Sequence, residues 1–181
     1  MAFQSGYAYL SVFYAIFDSM NNDYLQKITN NLTNKGFALQ QNVEFNEASF
    51  DIVGHKAKLE LTKFGLNDYF FIVKHLNDIT IEGLNAFSEL GFKYSGKHRK
   101  NFLPPGIFGG YWVFPIVISD VVPEEVFQSV EITRPPKHWS SAVFPVLINS
   151  QVNKVHYYQG KVAWGAAYQA GFKQLVNEVT T

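Results

Sequence analysis

The chain predicts an α/β fold, with α+β as the alternative, built as a single domain around a mixed β-sheet flanked by helices. Three observations lead there. An amphipathic helical pattern over 23–35 runs into three strand-like segments; a second helical stripe follows; and two continuous apolar runs, Val113–Ser119 and Val143–Asn149, flank a short helical pattern. A strand, helix and strand in that order favour parallel pairing through a right-handed crossover. The 181 residues suffice for one sizeable core.

In the first helix Tyr24, Leu25, Ile28 and Leu32 recur at helical spacing, Asp23 stands where an N-cap accepts orphan amides, and Gly36 follows Lys35 as a closing residue. Phe37, Leu39, Val43 and Phe45 then alternate with Gln40, Asn42 and Glu44, which predicts a half-buried strand. Ser49–Lys63 and Tyr69–Leu76 read as the next two strands, separated by the turn-prone Gly65-Leu66-Asn67-Asp68. Thr80 caps a helix whose stripe is Leu84, Phe87, Leu90, Gly91 and Tyr94, ending near Ser95. Gly83 and Gly91 weaken it by about 1 kcal/mol each relative to alanine.

The stretch from Leu103-Pro104-Pro105-Gly106 to Gly109-Gly110 is a loop. The two apolar runs share Val-Phe-Pro followed by three aliphatic residues. Between them Pro123 at N1, Glu124 and Glu125 in the first turn, and Val126, Phe127 and Val130 predict a short helix. Lys154–Tyr158 and Lys161–Ala163 suggest a hairpin around Gln159-Gly160. Trp164, Tyr168, Gly171, Phe172, Leu175 and Val179 fall on one face of a terminal helix packed on the sheet. Ahead of everything, Tyr7, Leu10, Tyr14 and Phe17 predict an amphipathic helix over 6–20, whose apolar face needs cover from the core or from a second subunit. A homodimer through that helix is the expectation. The chain thus divides into an N-terminal helix (1–22), a core (23–120) and C-terminal strands and helix (121–181).

Composition excludes several classes. Hydrophobic residues make up 47% and charged residues 17%, which rules out general disorder. Fifteen basic residues balance fifteen acidic ones, so any attraction to nucleic acid must be local. Without cysteine there is no disulfide, thiolate nucleophile or cysteine-held metal. The N-terminus lacks a basic n-region, and the apolar run Tyr7–Phe17 is too short to span a bilayer, so a soluble, cytoplasmic protein without a membrane partner is expected. The five histidines show no H-E-x-x-H spacing, no Gly-x-Ser-x-Gly elbow exists, and Gly106–Gly110 lacks the lysine of a P-loop. No complete catalytic motif and no cofactor site can be read.

Two stretches mix basic and aromatic residues, Lys93–Phe102 and Arg134–Trp139. If parallel pairing brings them to one sheet end, Lys97, Arg99, Lys100, Arg134 and Lys137 form a cationic patch with Trp139 available to stack. Such a patch suits nucleic acid or another phosphate-bearing ligand. The plainer reading is a basic helix end facing its own dipole and a tryptophan closing the core.

The order helix, three-strand meander, helix, strand over 23–120, the helix ending in Gly36-Phe37, and Phe50-Asp51-Ile52-Val53 together resemble the core of the restriction endonuclease-like superfamily, the PD-(D/E)xK nucleases. The resemblance implies a metal-binding aspartate at Asp51, with a second carboxylate and a lysine on the following strand holding a divalent metal such as magnesium. In Ile72-Val73-Lys74 the lysine stands but Ile72 occupies the carboxylate position; in Glu60-Leu61-Thr62-Lys63 the carboxylate stands but Lys63 falls one residue late. Read without the family, Asp51 is a turn-facing carboxylate and Lys74 a snorkelling surface lysine. The departures point to a degenerate member: a non-catalytic binding or regulatory module. The alternatives are a metal-dependent nuclease using Asp51 and Glu60 with Lys63 or Lys74, and a small-molecule-binding protein built from the surplus aromatics.

Overall fold

The computed structural model describes residues 23–60, 65–100, 109–138, 141–161 and 166–181. Helix α1 (23–34) opens the described chain. Asp23 is already helical and so is not its cap, whereas the far end closes as expected. Gly36 at φ 74 lets its N–H reach Thr33 O at 2.8 Å and the Phe37 N–H reach Leu32 O at 3.0 Å, a Schellman closure.

Strands β1 (Ala38–Phe45), β2 (Ala48–Glu60) and β3 (Gly65–Asp78) form an antiparallel meander. The expected turn at Gly65–Asp68 is corrected here. Those four residues begin β3, Glu60 pairs with Gly65, and Asn67 and Asp68 are buried with bonded side chains instead of facing solvent. Helix α2 (Ile81–His98) starts where Thr80 Oγ1 accepts the Gly83 N–H at 3.0 Å, and it runs three residues beyond Ser95. It crosses to β4 (Tyr111–Val121), which lies parallel to β3.

Helix α3 (Glu124–Ile132) has Pro123 as its N-cap residue, one position earlier than N1. It leads to β5 (Lys137–His138), β6 (Ser141–Val143) and β7 (Val146–Asn149), then β8 (Lys154–Tyr157) and α4 (Ala166–Thr180). The second apolar run is split into β6 and β7 at Phe144-Pro145, because proline cannot donate to a ladder. Both pieces pair with β4 in one register: Val113 faces Val143 and Ile116 faces Val146. The matching sequences are therefore in-register neighbours, with Pro115 opposite the break.

β8 pairs back on β7, and the second arm of the expected hairpin of 154–158 with 161–163 lies, at 162–163, outside the described residues. Asn149 Oδ1 accepts the N–H groups of Gln151 and Val152, and Asn153 adopts φ 53, so the turn lies before β8. The eight-stranded mixed sheet runs β1-β2-β3-β4-β6-β5, with β7 and β8 continuing from β4.

Alternation along the strands divides the core between two faces. Phe71, Val73, Phe114, Ile116 and Ile118 meet Ile28 and Leu32 of α1 and Phe172, Val176 and Val179 of α4. On the other face Val53, Phe70, Ile72 and Val113 pack with Tyr94 of α2, and Val117 and Leu147 pack with Leu84, Val126 and Val130. The result is helices, sheet, helices in three layers. Both crossovers step in the same direction along the sheet with α2 and α3 on one face, as a constant handedness requires. The expected helix over 6–20, Lys63, Trp139 and Trp164 lie outside the described residues. Among the described residues no helix is long and apolar enough to cross a membrane.

Candidate functional site

Polar residues gather at both ends of the parallel strands. At the carboxyl end Lys74 Nζ donates to Asp51 Oδ1 at 2.9 Å and to Ser49 Oγ at 3.0 Å, and Asp51 Oδ2 accepts the His75 main-chain N–H at 2.7 Å. The β2–β3 ladder begins at the next pair, Ile52 with Val73, so this carboxylate stands in for a main-chain acceptor. Both of its oxygens are occupied. On the neighbouring strand Asp120 Oδ1 accepts from Ser150 Oγ at 2.5 Å, while Oδ2 lies 3.7 Å from His75 Nε2, too far for a hydrogen bond. His75 Nε2 is enclosed and makes no hydrogen bond among the described residues.

The resemblance requires a second carboxylate beside Asp51, and two positions were candidates. Ile72 is fully buried against α2, where a Cβ added at Gly91 would come 3.4 Å from Ile72 Cγ1. Glu60 is nine residues from Asp51 along the same strand, about 30 Å at about 3.3 Å per residue. It accepts instead from Tyr69 Oη at 2.5 Å and Asn67 Nδ2 at 3.3 Å, with Lys58 Nζ at 3.2 Å. The pairing of Asp51 with Glu60 around one cation is thus corrected: strand length holds them apart. Lys74, not Glu60, is what β3 and β2 bring to Asp51. Among the described residues no three His, Asp or Glu side chains converge as metal ligands. A magnesium ion held by several hard oxygens does not fit a single carboxylate already neutralised by a lysine.

At the amino end, Asn67 and Asp68 tie down the approaches to β4. His55 Nε2 lies 2.6 Å from the buried Asp68 Oδ1, its ring stacked on Phe70 at 4.3 Å between centroids, and the Lys100 N–H reaches the same oxygen at 3.1 Å. The Gly110 N–H donates to Asn67 Oδ1 at 3.0 Å, and the Asp68 N–H donates to Gly110 O at 3.0 Å. Residues 100 and 110, which bracket the proline-rich stretch, are therefore held beside the start of β3.

The basic end of α2 lies over aromatic rings. Lys97 Nζ is 5.7 Å from the Phe45 centroid and the Arg99 guanidinium is 5.9 Å from that of Tyr111. Tyr111 pairs with Ser141, Ser141 pairs with His138, and the His138 ring stacks on Phe92 of α2 at 4.2 Å. His138, at the end of segment 134–138, is consequently held against α2. Lys97, Lys100 and Arg134 are exposed, and none of them, nor Arg99, has a carboxylate partner among the described residues. Lys137 contributes to β5, while Trp139 lies outside the described residues. Burial raises the phenol pKa of Tyr111, opposed by the Ser141 hydroxyl and the Arg99 charge; burial raises that of Tyr94 as well.

Sequence reading named the cations but missed the rings beneath them, Phe45 of β1 and Tyr111 of β4, and the Phe92–His138 stack beside them. Asp120 and Ser150 were also missed, although each follows the last residue shared by the two matching runs, Ser119 and Asn149. Comparison with models of protein families, with curated proteins and with solved structures finds no match to this chain.

Proposed function

We propose that this protein is a non-catalytic binding module of restriction endonuclease-like build that holds a nucleic-acid strand at the amino end of its parallel strands. One observation carries the reading: the Phe92–His138 stack holds the end of segment 134–138 against α2, whose basic terminus bears Lys97, Arg99 and Lys100, and this supports a cationic region shared with Arg134 on a chain with no net charge. Phosphates supply the complementary charge and bases can stack on rings at the same surface. The element order α1-β1-β2-β3-α2-β4 supports the resemblance, and Ile72 beside the Asp51–Lys74 pair supports loss of the nuclease reaction.

Anisotropy of labelled single-stranded and duplex oligonucleotides, followed with magnesium or manganese present, tests this. Binding without strand cleavage is expected. A cleavage product that disappears in Asp51→Ala would establish the nuclease instead. We also read the helical pattern at 6–20 as a dimerising surface; light scattering should give a dimer for the full chain and a monomer when residues 1–20 are removed, and a monomer in both refutes it.

A further inference from the structure

On the opposite layer a groove of 340 Å³ opens between α4 and strands β2 and β3. That volume lies in the range of small-molecule sites. Phe37, Tyr69, Phe172 and Leu175 give it an apolar floor, while Lys35, Lys56 and Lys58 face Glu60 and Glu178, leaving one positive charge in excess. The charges pair unequally. Lys35 meets Glu178 at 2.5 Å and Lys58 meets Glu60 at 3.2 Å. Lys56 is half-buried, donates to the Lys35 carbonyl at 2.5 Å and lies 5.7 Å from the Phe37 ring centroid, without a carboxylate partner among the described residues. An ammonium has three N–H donors and one carbonyl satisfies one of them, so an anion entering the groove gains a charge-assisted partner.

The helix wall carries a second sign. Gly171 lines the groove inside α4, and a Cβ built there would meet nothing within 4 Å. Glycine in a helix interior costs about 1 kcal/mol relative to alanine, and no close packing among the described residues requires it at this position. Its effect is to keep the groove open.

We propose that this groove binds a small amphipathic monoanion, an aryl or alkyl carboxylate or sulfonate, whose charge pairs with Lys56 and whose apolar body lies on Phe37, Tyr69 and Phe172. The site is on the other face of the sheet from α2, so it stands independently of the nucleic-acid reading. The probe is 1-anilinonaphthalene-8-sulfonate, followed by fluorescence with decanoate as competitor. The wild type should give saturable one-to-one enhancement that decanoate reverses. Lys56→Met, which keeps the aliphatic stem, should weaken binding roughly tenfold. Gly171→Leu should abolish it while melting no lower than the wild type, because its side chain enters open space. Absence of saturable enhancement in the wild type overturns the proposal, as does enhancement unchanged in both variants.

Discussion

Asp51 works as a structural acceptor at one end of the sheet. Its carboxylate joins Lys74 to the end of the β2–β3 pair, and removing it leaves the half-buried ammonium with Ser49 Oγ alone and the His75 N–H without its acceptor. Asp51→Ala should cost about 2 kcal/mol in urea unfolding, with a smaller cost in a Lys74→Met background. Ile72→Glu places a carboxylate under Gly91 in the core and should destabilise by about 3–5 kcal/mol without creating metal-dependent cleavage. The sequence displayed Asp51 and Lys74 as a candidate pair, and strand register brings them together. It could not exclude Glu60, because whether residues on one strand converge depends on where the chain turns. Gly65–Asp68 looked like that turn until burial and hydrogen bonding placed Asn67 and Asp68 inside β3.

At the scale of elements, the helices were legible because caps and periodicity are local. Thr80 and Gly36 announce their roles through chemistry within a few residues, and Gly36→Ala should destabilise by about 1–2 kcal/mol because its φ is positive. The break between β6 and β7 was not legible, since it depends on β4, a neighbour distant in sequence, whereas the β7–β8 pairing is local and its signal was the turn chemistry of Asn149 and Asn153. Asp68 joins β3, β2 and the approach to β4; Asp68→Ala should lower stability by about 3 kcal/mol, measured by thermal or urea unfolding, as His55 and the Lys100 N–H lose one buried acceptor.

The aromatic packing of α2 sets a pH limit. Burial raises the phenol pKa of Tyr94 and Tyr111 above 10.0. Their unfolded forms therefore lose protons first as pH rises. The associated stability is complete below the unfolded value and is lost as pH rises through the folded ones. Replacing both with phenylalanine should flatten the fall in stability above about pH 10, measured by urea melts at successive pH values.

For the whole molecule, opposite ends and faces carry different work. The carboxyl end holds a closed polar network, the amino end presents cations on aromatic supports, and α4 borders a groove on the far face. Fold class and layer order were visible in the sequence because the apolar runs and helical stripes state which surfaces must be covered. At the basic end of α2 the cations cluster in sequence, but Phe45 and Tyr111 reach Lys97 and Arg99 only through the tertiary fold. The salt dependence of oligonucleotide binding tests the central claim most directly, comparing the wild type with a variant carrying Arg99→Ala, Lys100→Ala and Arg134→Ala. For a single strand the slope of log affinity against log salt should become shallower by about 2 if these three residues neutralise phosphates, with affinity falling at low salt. A slope unchanged by the triple replacement, or no binding by the wild type at low salt, would contradict the account.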